Sequence, residues 1–176
     1  MAMVFERATM EDIDEVANLY NELIDSLEKG INYPGWKHGV YPTRETAQDG
    51  IRKGVLFVLR EDDGRIAGTS VLVHEGEPAY DQADWHVSLD DKHILVVFTF
   101  AVHPRYLQKG MGTKLMEAVI DYARREKMKA IRLDVYEKNF PAIALYKKCG
   151  FEYIGTVDLG CAKFGLPWFE LYQKLL

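Results

Sequence analysis

The chain has 176 residues, of which 48% are hydrophobic and 28% are charged. A chain of this length buries roughly 70% of its unfolded surface, which excludes global disorder and predicts one domain over residues 1–176. Acidic residues outnumber basic ones by 27 to 22, and the net charge of −5 argues against a nucleic-acid partner. Two cysteines are too few for a disulfide framework. The absence of a long apolar run or an N-terminal signal pattern favours a cytoplasmic protein without a membrane partner.

Short β-branched runs alternate with segments of helical periodicity along the chain, which predicts seven strands and four helices. In chain order, strands are predicted at 4–8, 55–59, 66–74, 94–102, 131–135, 151–157 and 169–175. Helices are predicted at 9–30, 43–54, 111–122 and 141–150. Thr9 and Asp12 form a weak capping box, and Pro141 is favoured in a first helical turn. The order β-α-α-β-β-β-α-β-α-β-β predicts an α+β fold with a mixed sheet and one right-handed β-α-β crossover.

A candidate anion site follows the fourth strand, where a short basic loop leads into a helix. Gly110 and Gly112 allow the backbone to approach a ligand closely, and the helix N-terminus adds partial positive charge. Arg105, Lys109 and Lys114 supply full charges, so the turn is typical of phosphate binding. The alternative is a strand-to-helix turn with glycine for steric reasons alone. Neither the dinucleotide pattern nor the P-loop pattern is complete here.

A second motif follows the next strand, with the pattern N-x-x-A-x-x-x-Y-x-x-x-G-F. Its members are Asn139, Ala142, Tyr146, Gly150 and Phe151. Together with the glycine turn, this motif resembles the GCN5-related N-acetyltransferase family over roughly residues 94–157. The resemblance implies an acyl-CoA N-acyltransferase-like fold, which is a mostly antiparallel twisted sheet with helices on both faces. It also implies acetyl-CoA as the acetyl donor and a primary amine as the acceptor.

The resemblance also implies which residues bind acetyl-CoA. The pyrophosphate would lie on the turn formed by Leu107, Gln108, Lys109, Gly110, Met111, Gly112 and Thr113. The pantetheine arm would pair with the backbone of Phe100, Ala101 and Val102, where a backbone N–H would also polarise the thioester carbonyl. Asn139 would bond the same arm. Leu107 departs from the family pattern, which has Gln or Arg there, and Gln108 or Lys109 could compensate.

Two catalytic residues are implied. Tyr146 matches the family's general acid, which protonates the departing thiolate; its alternative is a tyrosine that only packs in a helix. Asp134 matches a glutamate base of the branch that acetylates ribosomal-protein N-termini; its alternative is a solvated residue on a polar strand face. His74, Glu75 or a water molecule are further candidates for the base. Cys149 has no evident base beside it, which favours direct transfer over an acyl-enzyme.

The acceptor is left open as a small-molecule amine or a protein amine. Glu75, Glu77, Asp81 and Asp84 could attract a cationic amine or could serve solubility alone. The aromatic loop with Trp36, His38 and Tyr41 could line the acceptor pocket or cover the core.

Three further expectations concern function and assembly. The rival function is a non-catalytic acetyl-CoA-sensing or protein-binding module on the same fold. No metal site is expected, because no His, Asp and Glu cluster has convincing spacing. The apolar residues 167–172 could pair with a second subunit to form a homodimer or complete the monomer's sheet.

Overall fold

The structure, a computed structural model, describes residues 3–176, and these contain seven β-strands and four α-helices. The strands are β1 (Val4–Arg7), β2 (Leu56–Arg60), β3 (Ile66–Val73), β4 (Ile94–Val102), β5 (Ala130–Tyr136), β6 (Glu152–Val157) and β7 (Phe169–Leu175). The helices are α1 (Ile13–Glu28), α2 (Arg44–Arg52), α3 (Met111–Arg125) and α4 (Phe140–Lys148). The predicted order of elements is confirmed. None of the helices in this described part is long and apolar enough to cross a membrane.

The strands form one sheet in the order β1-β2-β3-β4-β5-β7-β6. The pairs β1–β2, β2–β3, β5–β7 and β6–β7 are antiparallel, whereas β4 and β5 are parallel. Helix α3 connects these two parallel strands, as a β-α-β unit requires. The α+β class with a mixed, mostly antiparallel sheet is therefore confirmed.

The parallel strands β4 and β5 pair over only part of their length. Register runs from Ile94↔Ala130 to Val97↔Leu133. Both strands continue beyond this register, β4 to Val102 and β5 to Tyr136. The backbone of Phe100, Ala101 and Val102 therefore lies outside the register with β5.

Helix ends follow the capping residues of the sequence. The predicted capping box is present, with the Thr9 backbone N–H donating to Asp12 Oδ2 at 2.8 Å, but it starts a 3₁₀ turn, Met10–Asp12, that precedes α1. Helix α4 begins at Phe140, one residue before the predicted Pro141, because Asn139 caps it. The Asn139 Oδ1 accepts from the Ala142 N–H at 3.4 Å and so satisfies one of the free amides of the first turn.

The contacts divide the chain into two compact units, and the first comprises Trp36–Leu72, Thr99–Ala118 and the described residues up to Asn32. One of its apolar clusters packs helix residues such as Val16, Tyr20 and Ile51 against strand residues such as Leu56 and Ile66. Another contains Leu59, Ala67, Met111 and Leu115. This unit holds the turn that the sequence predicts as a phosphate site.

The second unit comprises Tyr33–Gly35, Val73–Phe98 and Val119–Leu176. Its apolar cluster includes Tyr80, Trp85, Ile94, Val96 and Leu171. The 75–92 segment therefore contributes two buried aromatic residues to a core, in addition to its exposed carboxylates. The single domain over residues 1–176 stays a prediction.

Candidate active site

The glycine turn presents backbone amides at the start of α3. Gln108 and Gly110 have left-handed conformations, with φ of 59° and 75°. The Lys114 N–H donates to the Gly110 carbonyl at 3.2 Å, which makes Gly110 the first acceptor of the helix. The amides of Met111, Gly112 and Thr113 then precede the first intrahelical donor, as at every helix start. A Cβ built on Gly110 would have no neighbour within 4 Å, so space beside this backbone is open to a ligand.

The cations of this turn do not all face the same way. The Arg105 Nη2 donates to the Ile66 carbonyl at 3.0 Å, and its guanidinium lies 5.0 Å from the centre of the Tyr106 ring. Arg105 is therefore engaged with β3, whereas Lys109 and Lys114 are exposed. Leu107, where the family pattern has Gln or Arg, is 66% exposed and offers no polar group.

Strand β4 contains a residue in an unusual conformation. Thr99 is buried and has φ of 49°, a left-handed value that β-branched residues rarely adopt. Its hydroxyl shares a hydrogen bond with the Tyr41 hydroxyl. Tyr41 in turn packs edge-on against Trp36, with ring centres 5.9 Å apart, and Trp36 packs against the α1–α2 cluster. The aromatic loop thus covers a core and also contacts β4.

Asp134 is a half-buried carboxyl on β5 and not a solvated strand residue. The Tyr80 hydroxyl donates to its Oδ2 at 2.5 Å. The pKa of Asp134 is raised to about 6, chiefly by burial and also by the charge of Glu77, while the hydrogen bond from Tyr80 opposes this rise. A carboxylate with this pKa is mostly ionised at neutral pH and is basic enough to take a proton from a substrate.

Tyr146 lies on α4 and is 6% exposed. Its ring packs against Phe151 with centres 5.9 Å apart. Burial raises the pKa of Tyr146 above its ordinary value, and the charges of Asp134 and Cys149 add to this effect. The phenol therefore stays protonated at neutral pH and is available as a proton donor. Asp134 and Tyr146 belong to one electrostatic cluster within the second unit.

Sequence reasoning did not connect Tyr80, Glu77 or Cys161 with Asp134. Tyr80 bonds its carboxylate, and the charge of Glu77 acts on it. The pKa of Cys161 is raised by burial and then by the charges of Asp134 and Glu77. The signal that could have found Tyr80 is an aromatic residue directly after Pro78-Ala79 in an otherwise acidic stretch.

A cavity of about 320 Å³ lies in the same unit. Its lining residues are His74, Glu75, Gly76, Glu77, Pro78, Tyr80, Asp81, Trp85, Asp91, Ile94, Val96 and Arg132. The His74 Nδ1 donates to the Ile94 carbonyl at 2.9 Å, which leaves Nε2 as an acceptor in the neutral ring. Carboxylates outnumber the single arginine in this lining, so the cavity favours a cationic molecule.

One group of possible metal ligands is present among the described residues. Ligand atoms of Asp25, Glu28 and His38 lie within 4.8 Å of one another, and all three side chains are exposed. The His38 Nε2 lies 2.7 Å from Asp25 Oδ1, as in an ordinary surface pair. The absence of a metal stays a prediction.

Comparison with known proteins identifies the class of protein that this fold and these residues define. Residues 16–151 match the Acetyltransferase (GNAT) family, and the chain belongs to that family. An acetyltransferase of the GNAT family from Streptococcus agalactiae has a similar structure, with a TM-score of 0.80 and 25% identity. The alignment covers 99% of this chain and 95% of that one.

Two relatives of known sequence are also similar. The spermine/spermidine N(1)-acetyltransferase of Bacillus subtilis is 38% identical over 65 residues, which are 36% of this chain and 43% of that protein. An uncharacterized N-acetyltransferase of Methanocaldococcus jannaschii is 29% identical over 147 residues, which are 82% of this chain and 58% of that protein. The alignments thus span about half the length of these relatives.

Proposed function

We propose that this protein transfers the acetyl group of acetyl-CoA directly to a primary amine. The observation that carries the proposal is the pairing of Asp134, a carboxyl with a pKa of about 6, with Tyr146, a protonated phenol on which the charge of Asp134 acts. Acetyl transfer to an amine needs one group that accepts a proton and one that donates a proton. Membership of the acetyltransferase family supports the same reaction.

Acetyl-CoA would bind through its phosphates and its pantetheine arm. The amides of Met111, Gly112 and Thr113 and the exposed Lys109 and Lys114 would hold the pyrophosphate. The side chains of Leu107 and Gln108 carry no charge, so the backbone amides and these two lysines would provide this binding.

The arm would pair with the backbone of Phe100, Ala101 and Val102, which lies outside the register with β5. Asn139 uses its Oδ1 as a helix cap, so its amide N–H groups are the donors that it can offer to pantetheine.

The chemistry follows from the ionisation states. An alkyl ammonium must lose a proton before its nitrogen can attack the thioester carbonyl, and the Asp134 carboxylate would accept that proton. The C–N bond then forms, and the C–S bond breaks as the tetrahedral intermediate collapses. Tyr146 would donate its proton to the sulfur, so CoA leaves as a thiol. The nitrogen still carries one extra proton after its attack, and this proton would pass to the Tyr146 phenolate, which restores the phenol and leaves a neutral amide. A backbone N–H of β4 would stabilise the oxyanion by roughly 3 kcal/mol.

We propose a small cationic amine as the acceptor. The cavity lined by Glu75, Glu77, Asp81 and Asp91 would concentrate positive charge in the unit that holds Asp134. A relative named for spermine and spermidine makes polyamines the first compounds to test.

The test is thiol release from acetyl-CoA in the presence of polyamines, aminoglycosides, amino acids and peptides with free N-termini. We expect amine-dependent thiol release for at least one cationic acceptor, with kcat/KM rising through a pH near 6. Asp134→Asn should abolish this release. His74→Asn and Glu75→Gln are the matched controls, because His74 and Glu75 are the two other side chains considered as the general base. Tight acetyl-CoA binding without release for any amine would favour a sensing module instead.

A further inference from the structure

We propose that Tyr80 is a positioning residue, whose hydroxyl orients the Asp134 carboxylate and favours its ionised form. This inference rests on the proposed function, in which Asp134 is the general base. The direct observation is the hydrogen bond from the Tyr80 hydroxyl to Asp134 Oδ2, at 2.5 Å, between residues 54 positions apart in the chain. A bond to one carboxylate oxygen fixes the plane of the carboxylate and leaves the other oxygen to accept a substrate proton.

Tyr80 is held rigidly enough to act in this way. It lies in a short 3₁₀ turn, Pro78–Gln82, and is only 4% exposed. Its ring packs against Trp85 and Phe98, with ring centres 5.5 and 6.3 Å away. The Trp85 Nε1 donates to the Tyr80 carbonyl at 2.8 Å, so backbone and ring are both fixed.

Trp85 is itself anchored to the sheet. The Gln173 Nε2 donates to the Trp85 carbonyl at 2.9 Å, and the Arg132 Nε donates to Gln173 Oε1 at 2.8 Å. The Arg132 guanidinium lies 4.3 Å from the centre of the Trp85 ring, which is the geometry of a cation–π contact. Because Arg132 and Asp134 are on the same strand, β5, this chain of contacts sets the turn that bears Tyr80 relative to the carboxylate that it bonds.

The groups that act on Asp134 shift its pKa in opposite directions. Glu77 disfavours its ionised form by like charge, and the charge of Asp134 in turn raises the pKa values of Tyr146 and Cys161. Burial and the charge of Asp134 raise the pKa of Tyr80, which therefore remains a hydrogen-bond donor at every working pH. The hydrogen bond from Tyr80 opposes burial and keeps the carboxylate accessible as a base near neutral pH.

The experiment is the pH dependence of acetyl transfer by Tyr80→Phe, which removes only the hydroxyl. We expect kcat at pH 7 to fall roughly 10- to 100-fold, because the base is both misoriented and less ionised. The acidic limb of the kcat/KM profile should move upward by roughly one pH unit, with partial recovery at pH 9. The KM for acetyl-CoA should stay unchanged.

Tyr172→Phe is the matched control. The Tyr172 hydroxyl donates to Glu170 Oε1 at 2.6 Å, and the side chain is 1% exposed in the same unit. This control loses an equivalent phenol–carboxylate bond that does not involve Asp134, so it should lower the melting temperature and leave the pH profile in place. A Tyr80→Phe profile identical to that of Tyr172→Phe would overturn the inference.

The variant Asp134→Asn separates this inference from the proposed function. Full activity in Asp134→Asn would remove Asp134 as the base, whatever Tyr80 does. An inactive Asp134→Asn together with an unmoved Tyr80→Phe profile would overturn the role of Tyr80 alone. If Tyr80→Phe does not fold, Trp85→Phe is the second test. This variant keeps the Tyr80 hydroxyl but removes the hydrogen bond from Trp85 to the Tyr80 carbonyl. The acidic limb of its kcat/KM profile should move in the same direction as that of Tyr80→Phe, but by less. An unmoved limb in a folded Trp85→Phe protein would overturn the inference.

Discussion

Replacing Asp134 with Asn should stabilise the protein at neutral pH and leave its stability almost unchanged in acid. Folding raises the pKa of this carboxyl from its ordinary value of 3.8 to about 6, chiefly by burial. The folded state therefore binds a proton more tightly than the unfolded state does. The stability that this group contributes is fully present below pH 3.8 and is lost as the pH rises through about 6.

The magnitude follows from the same two values. A tenfold change in a proton equilibrium corresponds to about 1.4 kcal/mol, so ionising Asp134 costs the folded state about 3 kcal/mol at pH 7 and above. Asn has no charge to desolvate, and its Oδ1 can still accept the hydrogen bond from Tyr80. The free energy of unfolding of Asp134→Asn should exceed that of the wild type by up to about 3 kcal/mol at pH 8.

Urea unfolding of both proteins at half-unit steps from pH 4 to pH 8 measures this directly. Subtracting one curve of unfolding free energy against pH from the other removes the contributions that the two proteins share from their other titrating groups. Asp63→Asn is a control of opposite sign, because hydrogen bonds from Arg65 lower the pKa of the Asp63 carboxyl. Asp63 therefore contributes stability that is lost as the pH falls, and its Asn variant should gain nothing at pH 8. A constant difference between wild type and Asp134→Asn across the whole range would refute the assignment of Asp134 as a poised base.

Two further substitutions test the cofactor turn and the proton donor. Gly110→Val should weaken acetyl-CoA binding at least tenfold, because Gly110 has a φ of 75° and the added side chain would enter the open space beside the turn. Calorimetry measures this affinity, and unchanged affinity in a folded variant would exclude this turn as the phosphate site. Tyr146→Phe should lower kcat about 10²-fold or more without changing acetyl-CoA affinity, and the loss should be smaller with a donor whose thiol is more acidic. Wild-type kcat in a folded Tyr146→Phe protein would leave Tyr146 as a packing residue only.

The order of elements could be predicted because each one carries a local signal. Thr9 and Asp12 form the capping box that their spacing indicates, and α2 begins at Arg44 after its N-cap Thr43, within one residue of the predicted start. The β-branched run 94–102 forms β4 with the predicted bounds. These features depend on residues within one or two turns of each other, which a sequence pattern can represent.

Other features of the candidate site depend on contacts that no local pattern carries. Tyr80 and Asp134 are 54 positions apart, so their hydrogen bond exists only once the segment before β4 has folded. Arg105 has the charge expected of a phosphate ligand, yet its side chain bonds the Ile66 carbonyl because β3 lies within reach. Thr99 is a good strand former, and nothing in the sequence indicates its left-handed conformation.

Thr99 and Asp134 share a physical property, although each belongs to a different unit. A β-branched residue with φ of 49° and a half-buried carboxylate are both unfavourable locally. Each is held by the hydroxyl of a tyrosine from a distant segment, Tyr41 for Thr99 and Tyr80 for Asp134. Local conflicts of this kind concentrate at functional residues, because selection for stability alone would remove them. The candidate site can therefore be recognised where the chain departs from its own local preferences as well as where it matches the family motif.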